Sequence, residues 1–317
     1  MIGNRYSAFG LALRPSFPLP GMVPTDGSNL PSLAIDIETP DESHAAWSGG
    51  LASSPWRGSL GDGRDLTIEW GNAGDLRFTY GERAWFRLDA AGGRLSCAPV
   101  EVAALAWQRV LLSRIIPNVS LAHGREALHA AAVETPLGVV AIAAPSGMGK
   151  STLAYELVRR GHRLFTDDVL ILSREAEAVH AHPGSPHMNL ANGVASSPTA
   201  TLGEVLGTLS GERWIAVDGA SPEPRTVAAI ILLERGRGLP LEVEPLAVSP
   251  LVLAPYMLGL PDDTGRDAHN FAVYSDLVDS ARLLRLSGDA EHRPSDFANT
   301  LERALGLDVP VAARGIA

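Results

Sequence analysis

The chain contains a single lysine, Lys150, although 26 of its 317 residues are lysine or arginine. Lys150 lies in the segment Ala144 to Thr152, Ala-Pro-Ser-Gly-Met-Gly-Lys-Ser-Thr, which fits the phosphate-binding pattern G-x-x-x-x-G-K-[ST] except that Ala144 replaces the first glycine. In that pattern glycines turn backbone N–H groups toward an anion, the lysine neutralises β- and γ-phosphates, and the next hydroxyl holds Mg²⁺. We therefore predict a nucleotide-binding loop made by Ser146, Gly147, Met148, Gly149, Lys150, Ser151 and Thr152. The alternative is a glycine-rich turn that opens an ordinary helix.

Two adjacent carboxylates, Asp167 and Asp168, follow the loop after one predicted helix and half a predicted strand. In an α/β sheet this spacing places both at the carboxyl end of a strand, beside the loop. Neighbouring side chains of an extended segment point to opposite sides, so one carboxylate can bind a metal while the other faces a substrate hydroxyl. The alternative is a solvated turn. His129 precedes the loop in an apolar stretch, where it is either a core residue or a catalytic one.

The elements that position these residues alternate between strands and helices. The apolar segment Val139 to Ala143 leads into the loop, and a helix from Lys150 to Arg160 ends at Gly161. The other elements predicted in this half are strands at Leu128–Val133, Leu164–Leu172 and Val227–Leu233, a hairpin partner of the last at Leu241–Glu244, and helices at Ser275–Arg285 and Pro294–Leu305.

The first part of the chain is predicted to be β-rich. Short apolar runs such as Ala8 to Leu13 and Leu33 to Ile37 alternate with glycine-containing turns. A helix from Glu101 to Ile116 follows, and Pro117 is expected to end it. We accordingly divide the chain into a β-rich domain at 1–120, ending in a helix, and a catalytic domain at 121–317.

Composition excludes several classes of function. Basic residues number 26 and acidic residues 36, so the net charge is 26 − 36 = −10, which disfavours nucleic-acid binding. No apolar stretch approaches the roughly 20 residues of a membrane helix. The lone Cys97 and the absence of a signal-peptide pattern predict a cytoplasmic protein. A homo-oligomer is compatible with the sequence, which leaves the oligomeric state open.

The segment from Ser146 to Asp168 resembles the catalytic domain of HPr serine kinase/phosphorylase. The match is close from Leu128 to Leu172 and includes Arg-Gly-His-Arg-Leu at 160–164 and the upstream Leu-His at 128–129. The resemblance implies an α/β fold with a P-loop kinase core of the HPr kinase/PEP carboxykinase type, and ATP and Mg²⁺ as cofactors. It also implies that Lys150 binds ATP, Ser151 and Asp168 bind magnesium, Asp167 is the general base and His129 is auxiliary.

Two further segments, Tyr6 to Pro20 and Pro183 to Leu190, resemble the HPr-kinase-like proteins encoded with lasso peptides. That resemblance implies a serine kinase for a ribosomally made precursor peptide, typically at its C-terminal serine, with the β-rich domain as one wall of the peptide site. Thr152 stands where HPr kinases have glutamate.

Two alternatives remain: an HPr-type protein kinase/phosphorylase, and a nucleotide-dependent regulator or precursor-binding module that transfers no phosphate. Candidates for steadying the transferred phosphate are Arg163, Arg225 and Arg266.

Overall fold

The structure is a computed structural model that describes residues 5–25, 29–47, 49, 56–59, 65–175, 178–191, 202–261 and 267–307. Over these residues the chain is a mixed α/β protein with sheets of eight, ten and three strands. No helix in the described part is long and apolar enough to cross a membrane. Arg266 lies outside the described residues.

The first sheet is built almost entirely from the first hundred residues. Its order is β1-β2-β3-β8-β7-β6-β5-β4, and its strands are β1 Tyr6–Ala8, β2 Leu11–Pro15, β3 Ser32–Ile37, β4 Trp56–Ser59, β5 Asp65–Trp70, β6 Leu76–Tyr80, β7 Ala84–Leu88 and β8 Arg94–Pro99. The short helix α1, Pro40–Ala46, begins at a capping box formed by Thr39 and Glu42. The single strand predicted from Ala8 to Leu13 is wrong, because Phe9 and Gly10 adopt φ values of 55° and 74° and turn the chain into a hairpin.

A helical segment connects this sheet to the rest of the molecule. It comprises α2 Leu105–Val110, a π-helical turn Leu111–Ile115 and α3 Ile116–Ala122. The prediction that Pro117 ends the helix is wrong. Proline lacks an N–H and its ring crowds the carbonyl four residues back, and the wider π turn just before Pro117 accommodates both effects.

The second sheet has the order β12-β10-β11-β18-β14-β13-β9-β20, with β21 paired to β18 and β19 paired to β21. Its strands are β9 Glu126–Leu128, β10 Ala130–Thr135, β11 Gly138–Ala143, β12 Arg163–Thr166, β13 Leu170–Glu175, β14 Ala178–His182, β18 Arg225–Arg235, β19 Glu242–Pro245, β20 Met257–Leu258 and β21 Arg282–Gly288. The third sheet contains β15 His187–Ala191, β16 Gly203–Leu209 and β17 Glu212–Val217.

The directions of the strands in the second sheet determine which strands end at the same edge. Strands β11, β18 and β21 are parallel to one another, while β10 is antiparallel to both β11 and β12. Strands β11, β12 and β18 therefore end at the same edge. At this edge lie the segment after Ala143, the segment after Thr166 and Arg235, the last residue of β18.

Helices cover both faces of this sheet. Helices α4 Lys150–Arg159 and α6 Pro294–Leu305 pack on one face, and α5 Asp267–Ser280 packs on the other. Alternate residues of β11 enter the two cores, Val140 and Ile142 on one side and Val139 and Ala141 on the other. This two-sided burial explains why the strand is a continuous apolar run.

Two predictions for the last third of the chain are wrong. The segment Leu241–Glu244 does not form a hairpin with the strand at Val227, because β19 pairs with β21 instead. The helix predicted at Ser275–Arg285 ends at Ser280, and its remaining residues enter β21, which is hydrogen-bonded on both sides. A run of leucines buried in a sheet has no periodicity that distinguishes it from a buried helix.

Gly184 packs closely against Thr166, the last residue of β12, which leads into the candidate site. A Cβ atom there would lie 2.9 Å from Thr166 Cβ and 3.1 Å from the Phe9 ring. Thr166 is fully buried, and its hydroxyl donates to Val169 O at 2.8 Å, so it cannot move freely.

We expect Gly184→Ala to lower the free energy of unfolding by about 1–3 kcal/mol through overpacking. Gly93→Ala is the control, since a Cβ there meets no atom within 4 Å, and it should change stability by less than about 0.5 kcal/mol. Urea unfolding of both variants measures the difference. Equal stability of the two variants would show that the contact at Thr166 is relaxed without cost.

Candidate active site

The loop between β11 and α4 has the backbone that anion binding requires. Gly147 and Gly149 adopt φ values of 81° and 96°, a region that favours glycine. Pro145 to Met148 are exposed, and α4 begins directly after Gly149. The first N–H groups of a helix have no partners within it and carry partial positive charge, so this loop presents donors to an anion.

Lys150 is buried, with 6% of its surface exposed, whereas a lysine in a loop that meets a phosphate is expected to be exposed. Its Nζ donates to Ala144 O at 3.0 Å and to Pro145 O at 3.4 Å, and lies 3.0 Å from His129 Nε2. The side chain folds back beneath the loop, where carbonyl oxygens compensate the ammonium for lost water. Burial lowers the pKa of Lys150, and the nearby charges of Asp168 and Asp167 oppose that shift.

Asp167 and Asp168 leave the end of β12 at the same edge as the loop, as the sequence predicts. Their side chains have different partners. Asp167 Oδ2 accepts from the Asn189 N–H at 2.9 Å, and the nearby Ser151 hydroxyl acts to lower the pKa of the same carboxyl. Asp168 forms an ion pair with Arg114, and its Oδ1 lies 3.3 Å from His129 Nδ1. Asp168 also has a φ of 105°, a strained value for a residue with a Cβ.

The two carboxyl groups differ in acidity. Burial and the neighbouring charge of Asp168 raise the pKa of Asp167 to about 6. Burial alone would raise the pKa of Asp168 as well, but Arg114, His129 and Lys150 together outweigh it and the pKa of Asp168 is lowered. Asp168 is therefore ionised at neutral pH, while Asp167 binds its proton more tightly than an exposed aspartate does.

His129 occupies a bend between β9 and β10 and connects the lysine to the acidic pair. Its backbone N–H donates to Tyr256 O at 2.7 Å, and its Nδ1 lies 3.1 Å from Asp168 O. Because an ammonium can only donate, Nε2 accepts from Lys150 and Nδ1 carries the proton toward Asp168. Burial lowers the pKa of His129, and Lys150 adds to that effect, so the ring is neutral at pH 7.

Arg114 belongs to this site and was not predicted. It projects from the π-helical turn, a kind of local irregularity that is frequent at functional sites. The predicted candidates Arg163 and Arg225 lie at the opposite end of the sheet, where both pair with Glu134. Only the packing of the helical segment against the loop brings Arg114 here, so sequence spacing held no signal for it.

The Asp167 side chain can accept a further ligand. Its Oδ1 is buried without a hydrogen-bond partner, and the Ser151 hydroxyl lies near the carboxylate. Hard oxygen donors of this kind suit a divalent cation such as Mg²⁺, which usually takes one or two protein ligands and completes its octahedron with water and phosphate oxygens. Among the described residues no group of three or more histidine, cysteine, aspartate or glutamate side chains is arranged to hold a metal alone.

Two cavities flank the loop. One, of about 470 Å³, is lined by Pro145 and Met148 of the loop together with Arg235, Tyr256 and Arg285. The second, of about 300 Å³, lies on the side of His129, Arg114 and Ser146. The loop and Lys150 thus separate two spaces, each of a size that holds a small molecule or part of a larger one.

No family model matches the chain, and no curated protein does. Among solved structures, the chain is similar to the HPr(Ser) kinase/phosphatase from Coxiella burnetii, with 18% sequence identity over 56% of this chain and 95% of that chain and a TM-score of 0.32.

The raised pKa of Asp167 predicts a pH-dependent stability. In the unfolded chain this carboxyl ionises near pH 4, whereas its pKa in the folded state is about 6. The folded state binds the proton more tightly, so ionisation destabilises it progressively from about pH 4 to pH 6 and fully above pH 7.

We expect Asp167→Asn, which cannot ionise, to be more stable than the wild type by about 1–3 kcal/mol at pH 8 and by almost nothing at pH 4. Thermal unfolding at both pH values, without added metal, measures the effect. The exposed Asp279 supplies the control Asp279→Asn, for which no such pH dependence is expected. An Asp167→Asn difference that is the same at both pH values would contradict the assignment.

Proposed function

We propose that the protein is an ATP- and Mg²⁺-dependent phosphotransferase that phosphorylates a serine hydroxyl of a peptide. One observation carries the proposal: a glycine loop, a buried lysine and two carboxylates with separate partners converge at one sheet edge. Phosphoryl transfer needs positioning, charge neutralisation and a base for the acceptor, and these groups can supply all three.

The nucleotide side of the site is the loop with the larger cavity. Backbone N–H groups of residues 146–152 would bind the phosphates, and Lys150 would exchange its bonds to Ala144 O and Pro145 O for phosphate oxygens. The cavity beside Met148, whose lining combines apolar side chains and Tyr256 with Arg235 and Arg285, can take the base and ribose. When bound, Mg²⁺ would neutralise part of the phosphate charge.

The two carboxylates divide the remaining roles. The resemblance assigns proton acceptance to Asp167 and the metal to Asp168, and this assignment stays a prediction. The contacts support the opposite assignment, which we adopt: Asp167 would bind the metal and Asp168 would accept the proton. Asp167 lies near the Ser151 hydroxyl and has a buried oxygen without a partner, whereas Asp168 lies between Arg114 and His129, which line the smaller cavity.

The acceptor in this proposal is a ribosomally made precursor peptide of the lasso type, modified at a serine near its C-terminus. The support for this choice is the resemblance of residues 6–20 and 183–190, together with the contribution of Leu66 and Ile68 of the first sheet to the smaller cavity. The alternative from another class of function is a nucleotide-dependent binding module. Mass spectrometry of the peptide after incubation with MgATP separates the two functions, since a binding module leaves the mass of the peptide unchanged.

The first prediction concerns Lys150. We expect Lys150→Met to lower turnover by at least about 10²–10³-fold, because the charge on the transferred phosphate loses its nearest cation. We also expect Lys150→Met to lower the free energy of unfolding by about 1–3 kcal/mol, because it leaves the Ala144 and Pro145 carbonyls without their donor, so circular dichroism is recorded to show that the variant is folded.

The control is Arg163→Met, which removes a positive charge at the far end of the sheet and should leave turnover unchanged. Transfer of ³²P from ATP to a serine peptide measures both variants. If Lys150→Met keeps wild-type turnover while remaining folded, the loop does not bind the transferred phosphate.

The second prediction separates the two carboxylates. Asp167→Asn should raise the Mg²⁺ concentration needed for half-maximal rate, and excess Mg²⁺ should restore part of the rate. Asp168→Asn should lower kcat by about 10²–10⁴-fold at every Mg²⁺ concentration, which is the contribution of a general base. The reverse pattern would assign the base to Asp167, as the resemblance implies. Full activity in both variants would refute the proposed use of the pair.

A further inference from the structure

The smaller cavity, here called the acceptor cavity, has one polar end and one apolar end. Arg114, His129 and Ser146 line the polar end, next to the loop. Asn118 also lines the cavity, and its Nδ2 donates to Arg114 O at 2.8 Å. The other lining residues are apolar: Leu66, Ile68, Pro117, Leu121, Val169, Leu258 and Gly259. The inference drawn from this cavity rests on the proposed function, because it concerns the acceptor of the same reaction.

The apolar end is formed by parts of the chain that are distant in sequence and held together by specific contacts. Leu66 and Ile68 belong to β5 and are only 1% and 2% exposed. The segment after Tyr256 closes the other side, since β20 pairs with β9 and Trp70 Nε1 donates to Pro261 O at 2.9 Å. These contacts hold the walls in place, so binding there costs little ordering of the protein.

Charge is confined to the polar end. Arg114 is paired with Asp168 and the His129 ring is paired with Lys150, so neither offers a free charge to the apolar end. A charged group buried among leucine and valine side chains loses its hydration without finding a partner. An aliphatic group of leucine size gains about 10- to 100-fold in affinity from the same burial.

We propose that the acceptor cavity binds an uncharged aliphatic side chain next to the serine that is phosphorylated. With that side chain among Leu66, Ile68 and Leu258, the neighbouring hydroxyl is held at the polar end beside Asp168 and His129. The enzyme thereby selects serines flanked by large aliphatic residues and rejects serines flanked by acidic or basic ones. Leu258 is the most accessible residue of the apolar wall, with 36% of its surface exposed.

Three peptides that differ only beside the serine test the proposal: Gly-Leu-Ser-Leu-Gly, Gly-Asp-Ser-Asp-Gly and Gly-Lys-Ser-Lys-Gly. For the wild type we expect kcat/KM to be at least 10-fold higher with the leucine peptide than with either charged one. Leu258→Asp should lower the leucine value at least 10-fold and raise the lysine value above it, because the new carboxylate pairs with the lysine. Leu137→Asp is the control, at an exposed turn between β10 and β11, and should keep the wild-type preference.

A binding measurement distinguishes failure of this inference from failure of the proposed function. The same peptides with alanine in place of serine are titrated by fluorescence anisotropy in the presence of MgATP. Transfer to all three serine peptides at equal rates would refute the inference and leave the kinase intact. No transfer, with leucine-selective binding that Leu258→Asp abolishes, would refute the kinase and retain the apolar cavity. Neither transfer nor selective binding would overturn both.

Discussion

The ammonium of Lys150 is the group around which the candidate site is organised. It is buried at the start of α4, where two loop carbonyls, the ring of His129 and the charges of two carboxylates surround it. A buried charge is tolerated only with such partners, so the positions of the loop, the bend at His129 and the end of β12 depend on one another. A phosphate that replaced the carbonyls would meet a cation already in place.

The position of Asp168 also depends on the segment that follows the first sheet, because Arg114 lies in that segment. Its π-helical turn lies in the segment that leaves this sheet, and its guanidinium holds the carboxylate of Asp168, whose backbone is strained. The core of the first sheet also includes Val169 and Ile171, which directly follow the acidic pair. The β-rich part of the chain is thus packed against the site and helps to determine the geometry of its acidic pair.

The site is assembled at a cost to stability. Asp167 keeps a buried oxygen without a partner and an elevated pKa, and Asp168 keeps an unfavourable φ. Strain and unsatisfied polar groups of this kind concentrate at functional sites, where a ligand completes the missing interactions. In the proposed function a cation and the phosphates of ATP are those ligands.

The sequence alone determined the local features. The spacing of Gly147, Gly149 and Lys150 predicted the strand, loop and helix, because positive φ values and helix starts are decided by neighbouring residues. The predicted helix at Pro294–Leu305 coincides with α6, whose apolar stripe has a clear helical period. The predicted strand at Leu33 to Ile37 lies within β3 for the equivalent reason, since its short apolar run has the period of a strand.

Only the tertiary structure decided the rest. Contacts between residues far apart in the chain decide that β19 pairs with β21 and that Arg282–Gly288 is a strand. Such contacts also bury Lys150 and place Arg114 beside Asp168. Such contacts carry no sequence period, since they are selected by the packing of whole sheets and helices. The phosphate-binding pattern of the loop is therefore determined by neighbouring residues, whereas the fold determines which side chains surround it.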